Sequence, residues 1–196
     1  MPLGAFKAAL MGTSGVSAGA DVVLLSSQTL SAAGTCAFAS GITSAYGEYI
    51  FKWYDIHSTD SNGPNFTVNF STDGGDNYNM TKTSTTFMAY HTEADASALS
   101  YKIDIDITSA TGYQNIIYST DSGADESTAG ELHLFNPAST TYVKHWWSKA
   151  TSYSEIPGVQ NVFTGGYVNS TSDVDAVQFK TNVGTFSGKM KMWGVK

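Results

Sequence analysis

The sequence predicts an all-β protein, an antiparallel β-sandwich of jelly-roll type behind a short N-terminal arm. Three observations predict it. Segments alternating apolar and polar residues recur along the chain, the connections are rich in Gly, Asn, Asp and Ser, and no convincing long helix interrupts them. A chain of 196 residues can bury a core of its own, and no linker divides it. The predicted organisation is therefore an arm over residues 1–20 and a single sandwich domain over 21–196.

The elements follow in order. In residues 1–20, Leu3, Phe6 and Leu10 are spaced as a short helical stripe before a Gly/Ser stretch. That segment is too short for a stable isolated helix. It reads either as an arm docking on a neighbouring subunit or as a frayed tail.

Strands are predicted from Asp21 onward. DVVLLSSQTL (21–30) is apolar and β-branched, TCAFAS (35–40) is short, and EYIFKWYDI (48–56) places Tyr49, Phe51 and Trp53 on one face. NFTVNFS (65–71) puts Phe66, Val68 and Phe70 on a core face and Asn65, Thr67, Asn69 and Ser71 on the other. Asp73, Gly74 and Gly75 then supply a sharp turn. YKIDIDIT (101–108) predicts buried Ile103, Ile105 and Ile107, with Lys102, Asp104, Asp106 and Thr108 in water.

Further strands are predicted at 131–135, 141–147, 159–168, 176–181 and 188–195. None of the four prolines interrupts one. About ten strands imply two packed sheets.

Composition narrows the function. The formal charge is −7 and all ten basic residues are lysines, so no guanidinium fork is present to grip phosphate or guanine. Nucleic acid is disfavoured as a partner. A polybasic stripe for anionic membranes is also missing, and no apolar run approaches the ~20 residues of a membrane helix, so no membrane insertion is predicted. Cys36 is the single cysteine, which excludes an intrachain disulfide, fits assembly in a reducing cytoplasm and reads as a small buried hydrophobe. The N-terminus does not read as a signal peptide. The Asn-x-Ser/Thr triplets at Asn65, Asn69, Asn79 and Asn169 therefore carry no glycosylation signal.

Residues suited to chemistry are scattered. His57, His91, His133 and His145 lack a metal-ligand spacing, although His133 and His145 could meet across neighbouring strands. Asp104 and Asp106 would lie ~7 Å apart on one strand face, where a solvated face explains them more simply than an acid pair. Asp73 with Asp76 and Asn77, or Asp121 with Asp125 and Glu126, could offer oxygens to calcium, but neither matches an EF-hand loop. No catalytic residue, cofactor or metal is assigned.

Aromatic residues remain. Trp146 and Trp147 are adjacent, so one of them must leave the main core. In SGKMKMWGVK (187–196), Met190 and Met192 face inward and Trp193 lies opposite, under a covering segment or against a neighbouring subunit. Leu3, Phe6, Leu10, Trp146, Trp147 and Trp193 are thus the candidate contacts, with a subunit or with a glycan.

FSTDGGDNY, GELHLFNPASTTYVKHWW, VDAVQFK and SGKMKMWGVK, in this order, resemble a family of virion structural proteins of tailed bacteriophages, notably marine ones. The resemblance runs from about Tyr46 to Lys196. In that family the last stretch carries Gly, alternating aliphatic and polar residues, an aromatic, Gly, an aliphatic and Lys. These correspond to Gly188, Met190, Trp193, Gly194, Val195 and Lys196, with Trp193 where tyrosine is more usual.

The resemblance implies a non-enzymatic, β-rich particle component with no catalytic residues to transfer. The expected protein is a virion structural protein on the particle exterior, decorating the capsid or forming part of a tail or fibre. Its partners are other copies of itself, with trimers implied by the resemblance, and other virion proteins. Two other classes compete. A host-glycan-binding module would use Trp146 or Trp147, and a polysaccharide-degrading enzyme would need an acid pair.

Overall fold

The computed structural model describes residues 21–60, 63–155 and 157–196. Leu3, Phe6 and Leu10 lie outside the described residues. Twelve strands are present: β1 (Val22–Ala33), β2 (Cys36–Phe38), β3 (Glu48–Ser58), β4 (Phe66–Ser71), β5 (Lys82–Thr92), β6 (Ser97–Tyr101), β7 (Gln114–Ile117), β8 (Thr128–Phe135), β9 (Lys144–Tyr153), β10 (Gly158–Val168), β11 (Ala176–Thr181) and β12 (Phe186–Val195). No helix occurs among the described residues.

These strands form two antiparallel sheets, one of eight strands in the order β1-β12-β3-β8-β9-β10-β5-β6 and one of four in the order β2-β11-β4-β7. The predicted all-β sandwich is what the chain forms. The strand orders establish two packed antiparallel sheets and stop short of jelly-roll connectivity.

The core lies between the sheets, and alternation puts it there. Tyr49, Phe51 and Trp53 of β3 are buried on the inner face, as are Met190 and Met192 of β12. Phe66 and Phe179 from the small sheet stack at 5.9 Å, and Trp53 packs on both. Each such ring contributes about 2–3 kcal/mol of apolar burial. Gly130 stands directly across from Trp53 in the β3–β8 ladder, and a Cβ there would lie 2.5 Å from the indole. The glycine makes room for the ring. Cys36 is buried, and burial pushes its thiol up to about 12, as expected of a packing residue.

Several strand expectations are corrected. Residues 102–108 are not strand: β6 ends at Tyr101 and turns follow. Ile105 is buried, but Ile103 is exposed and Ile107 half-buried, so alternation from the short β6 does not continue through IDIDIT. The strand predicted at 141–147 runs instead over residues 144–153. Three strands not predicted, β5, β6 and β7, carry Ser/Thr-rich or very short sequences whose apolar signal is weak, and β6 overlaps the expected strand 101–108 only at Tyr101.

The polar face of β4 is buried, not wet. All six residues of β4 are buried: Phe66, Val68 and Phe70 lie in the core, and on the other side Asn69 donates to the carbonyls of Tyr78 and Thr111, Thr67 to the Lys180 carbonyl and Ser71 to Asp73. The turn after β4 is as predicted, with Gly74 and Gly75 at φ of 76° and 91°.

Candidate functional site: the outer face of the large sheet

The eight-stranded sheet turns one face to the core and the other outward. On β9 the alternation is complete: Trp146, Ser148, Ala150 and Ser152 are buried, while His145, Trp147, Lys149 and Thr151 are exposed. Antiparallel register aligns such outward residues into rows across the sheet.

One row reads Leu24, Trp193, Ile50, His133, Trp147, Gly165 and Thr85. A neighbouring row reads Ser27, Lys191, Lys52, Glu131, Lys149, Phe163, Phe87 and Tyr101. The first row is apolar at the β1 edge, from Leu24 to Ile50, and the second is apolar toward the β6 edge, from Phe163 to Tyr101, with charges from Lys191 to Lys149 between.

His133 and Trp147 stack with ring centroids 4.0 Å apart and planes 12° from parallel. The imidazole is held from the other side, where Nδ1 shares a hydrogen bond with Glu48 and Nε2 lies 3.7 Å from Glu131 Oε1. Lys52 and Glu131 pair at 3.2 Å, and the Lys149 ammonium lies over the Phe163 ring at 5.6 Å. Lysines 189 and 191 approach the Tyr54 ring at 5.5 and 5.6 Å. Each contact is solvent-screened and individually weak.

The apolar character is strongest at the β5–β6 edge. Phe87 and Phe163 stack at 4.9 Å. Phe87, Tyr101, Leu99 and Ile103 are exposed by 46%, 60%, 72% and 77%. Among the described residues β6 pairs only with β5, and its sequence SALSY carries no charge to discourage further pairing.

The candidate tryptophans separate as adjacency required. Trp146 is in the core against Phe70, and Trp147 is on the outer face at 37% exposure. Trp193 is half-buried on that same face, opposite the inward Met190 and Met192. Trp146 is therefore unavailable to a glycan or a subunit.

His133 and His145 do not meet. Register sets His133 across from Trp147, while His145 faces Tyr167 at 6.2 Å. His57 Nδ1 bonds the Glu126 carbonyl and His91 Nε2 bonds Asp95, so the four histidines have separate partners.

The acids also separate. Asp104 pairs with Lys102 at 3.2 Å and Asp106 accepts the Tyr101 hydroxyl, both on turns, so the expected shared strand face is absent. Asp73 spends its carboxylate on its own turn, accepting from Ser71 Oγ at 2.6 Å, Asn77 N at 2.9 Å and Asn77 Nδ2 at 2.8 Å. These bonds hold its acidity at about 2. Asp121 caps Ser122 N and Glu126 caps Gly123 N. Among the described residues, no group of three or more His, Cys, Asp or Glu is placed to hold a metal.

Two buried lysines escaped the sequence. Lys82 Nζ donates to Asn69 Oδ1 at 2.7 Å and to the Met80 carbonyl at 3.0 Å. Lys144 Nζ donates to the carbonyls of Tyr142 at 2.9 Å and Ser170 at 3.1 Å. Burial lowers both ammonium groups below the usual lysine range, Lys82 to about 8. The edge residues Phe87, Leu99 and Tyr101 also went unmarked and Ile103 was expected in the core, since an exposed apolar residue looks like a core residue in sequence.

The chain matches no family model, no curated protein and no solved structure.

Proposed function

We propose that the protein is a non-enzymatic structural component of a tailed-phage virion, assembled in the host cytoplasm. It sits on the particle exterior as a capsid decoration or as part of a tail or fibre. It acts through subunit interfaces, in homo-oligomers such as trimers, with other virion proteins as further partners. The observation that carries this reading is the exposed apolar cluster of Phe87, Leu99, Tyr101 and Ile103 at the β5–β6 edge, whose outer strand β6 carries no charged residue. Exposed apolar surface on a free strand edge suits a face that is covered on assembly. The resemblance of FSTDGGDNY, GELHLFNPASTTYVKHWW, VDAVQFK and SGKMKMWGVK to virion proteins supports the same reading.

The test is the copy number per particle, by quantitative mass spectrometry of purified virions. Hundreds of copies indicate capsid decoration and a few dozen or fewer a tail component. No copies would refute the proposal.

A second reading, recognition of a host glycan, is favoured by Trp147, an exposed indole held by His133 with only Gly165 across from it on β10. A glycan-array signal that Trp147→Ala abolishes would support it, and a signal unchanged by Trp147→Ala would count against it.

A further inference from the structure

The hydrogen bonds between β5 and β6 decide which side of β6 is free. Ala96 O accepts from Thr92 N at 2.8 Å and Lys102 N donates to Thr86 O at 2.9 Å. Between these two bonds the register runs without a shift, from Ser97 opposite His91 to Tyr101 opposite Phe87. Bonding residues alternate along an antiparallel strand, so Ala98 and Ser100 turn their backbone groups to β5. Ser97, Leu99 and Tyr101 turn theirs away, and among the described residues no other strand pairs with them.

The devices that keep an edge from pairing are missing from β6. SALSY has no charge and no proline, and its ladder with β5 has no bulge. At the other end of the sheet, β1 carries register shifts between Leu24 and Ser26 and between Leu30 and Ala33, which turn that edge away from a straight partner. On β6 the outward-bonding residues also share the outer face, where Leu99 and Tyr101 are exposed by 72% and 60%.

The pattern is complementary to itself. A two-fold axis through Leu99 sets Leu99 of one copy against Leu99 of the other and each Ser97 against a Tyr101, and every facing pair exchanges two backbone hydrogen bonds. An axis through Ala98 leaves Tyr101 without a partner, and one through Ser100 leaves Ser97 without one. Leu99 then meets its equivalent between the Tyr101 and Phe87 rings of both copies. Charge permits the approach although the chain has a formal charge of −7, because β6 is neutral. The acids flanking it have partners of their own, Asp95 with His91 at 3.1 Å and Asp104 with Lys102 at 3.2 Å.

We propose that β6 pairs antiparallel with β6 of a second copy, Leu99 facing Leu99, so that the two large sheets join into one. This rests on the reading of the β5–β6 edge as an assembly interface and names its partner and register. A two-fold contact closes on itself, so this edge yields dimers, and any larger homo-oligomer uses a further surface. A five-residue strand falls short of the about 800 Å² per partner of a standard interface, so the pairing is reversible.

Facing residues of such a bonded pair have Cα atoms about 5.5 Å apart, within reach of a disulfide. The test compares Leu99→Cys with Val183→Cys, at an exposed position outside the strands, under copper–phenanthroline oxidation read on non-reducing gels; buried Cys36 is common to both. Leu99→Cys should give covalent dimers about tenfold faster. Ser97→Cys combined with Tyr101→Cys should give peptides joining position 97 of one chain to position 101 of the other. Dimers forming no faster in Leu99→Cys than in Val183→Cys, or links joining 97 to 97 and 101 to 101, would overturn the pairing. If the wild type still oligomerised, that failure would leave the assembly reading in place. Virions lacking the protein would remove the assembly reading and leave the dimer standing.

Discussion

Lys82 Nζ donates a 2.7 Å hydrogen bond to Asn69 Oδ1, joining β5 of the large sheet to β4 of the small one in a site closed to solvent. Asn69 is saturated. Its Nδ2 donates to the carbonyls of Tyr78 at 2.6 Å and Thr111 at 3.0 Å, and Oδ1 also accepts from Phe70 N at 2.9 Å. Asn69→Ala would leave two carbonyls and part of an ammonium unpaired, so it should cost about 3 kcal/mol or more in denaturant unfolding. Lys82→Met removes the charge together with its need for partners and should cost less than half as much. Equal losses for the two variants would contradict this account.

The same lysine gives stability a pH dependence. Burial lowers folded Lys82 to about 8, against 10.5 for an ordinary lysine. Between these values the unfolded chain binds more protons, so this residue makes stability rise as the pH rises from 8 toward 10.5. Its stabilising contribution is full above the unfolded value and is lost as the pH falls through 8. Tyr78 and Tyr113, raised above 10.0 by burial, act in the opposite direction once unfolded tyrosine ionises. Lys144, also lowered by burial, acts in the same direction, and Cys36, raised to about 12, acts against both above pH 9. Unfolding measured from pH 7 to 9 should therefore show a rise that Lys82→Met diminishes. An identical pH profile in Lys82→Met would contradict the assignment.

Adjacent tryptophans should behave oppositely. Trp146→Ala empties a core position against Phe70 and should cost about 3–5 kcal/mol. Trp147→Ala removes a stacked but exposed ring and should cost about 1 kcal/mol. Thermal unfolding of the two variants checks this, and comparable losses would mean that both rings are structural.

The legible part of the fold was the part written in alternation. EYIFKWYDI and SGKMKMWGVK announced both strands and faces, because each residue's direction follows from a period of two. β5 was not legible, since KTSTTFMAYHT buries Lys82 and Thr86 on its inward side. Polar residues there are held by partners distant in sequence, such as Asn69 and Thr164, which no local pattern reveals. IDIDIT failed in the opposite way, with alternation present but no neighbouring strand beyond β6 to use it. For the outer face, Trp193 was placed by its neighbours in sequence, whereas adjacency required one of Trp146 and Trp147 to lie there without deciding which. The stack of His133 on Trp147 and the β5–β6 patch needed register, which only the folded sheet supplies.

The claim that function resides in an interface rests on the β5–β6 edge, and sedimentation equilibrium tests it most directly. The wild-type protein should associate reversibly into a closed oligomer. Leu99→Asp combined with Ile103→Asp, both at exposed positions, should leave a folded monomer whose unfolding temperature no longer depends on protein concentration. A wild-type protein that remains monomeric at every concentration, or a double variant that associates as the wild type does, would contradict the account.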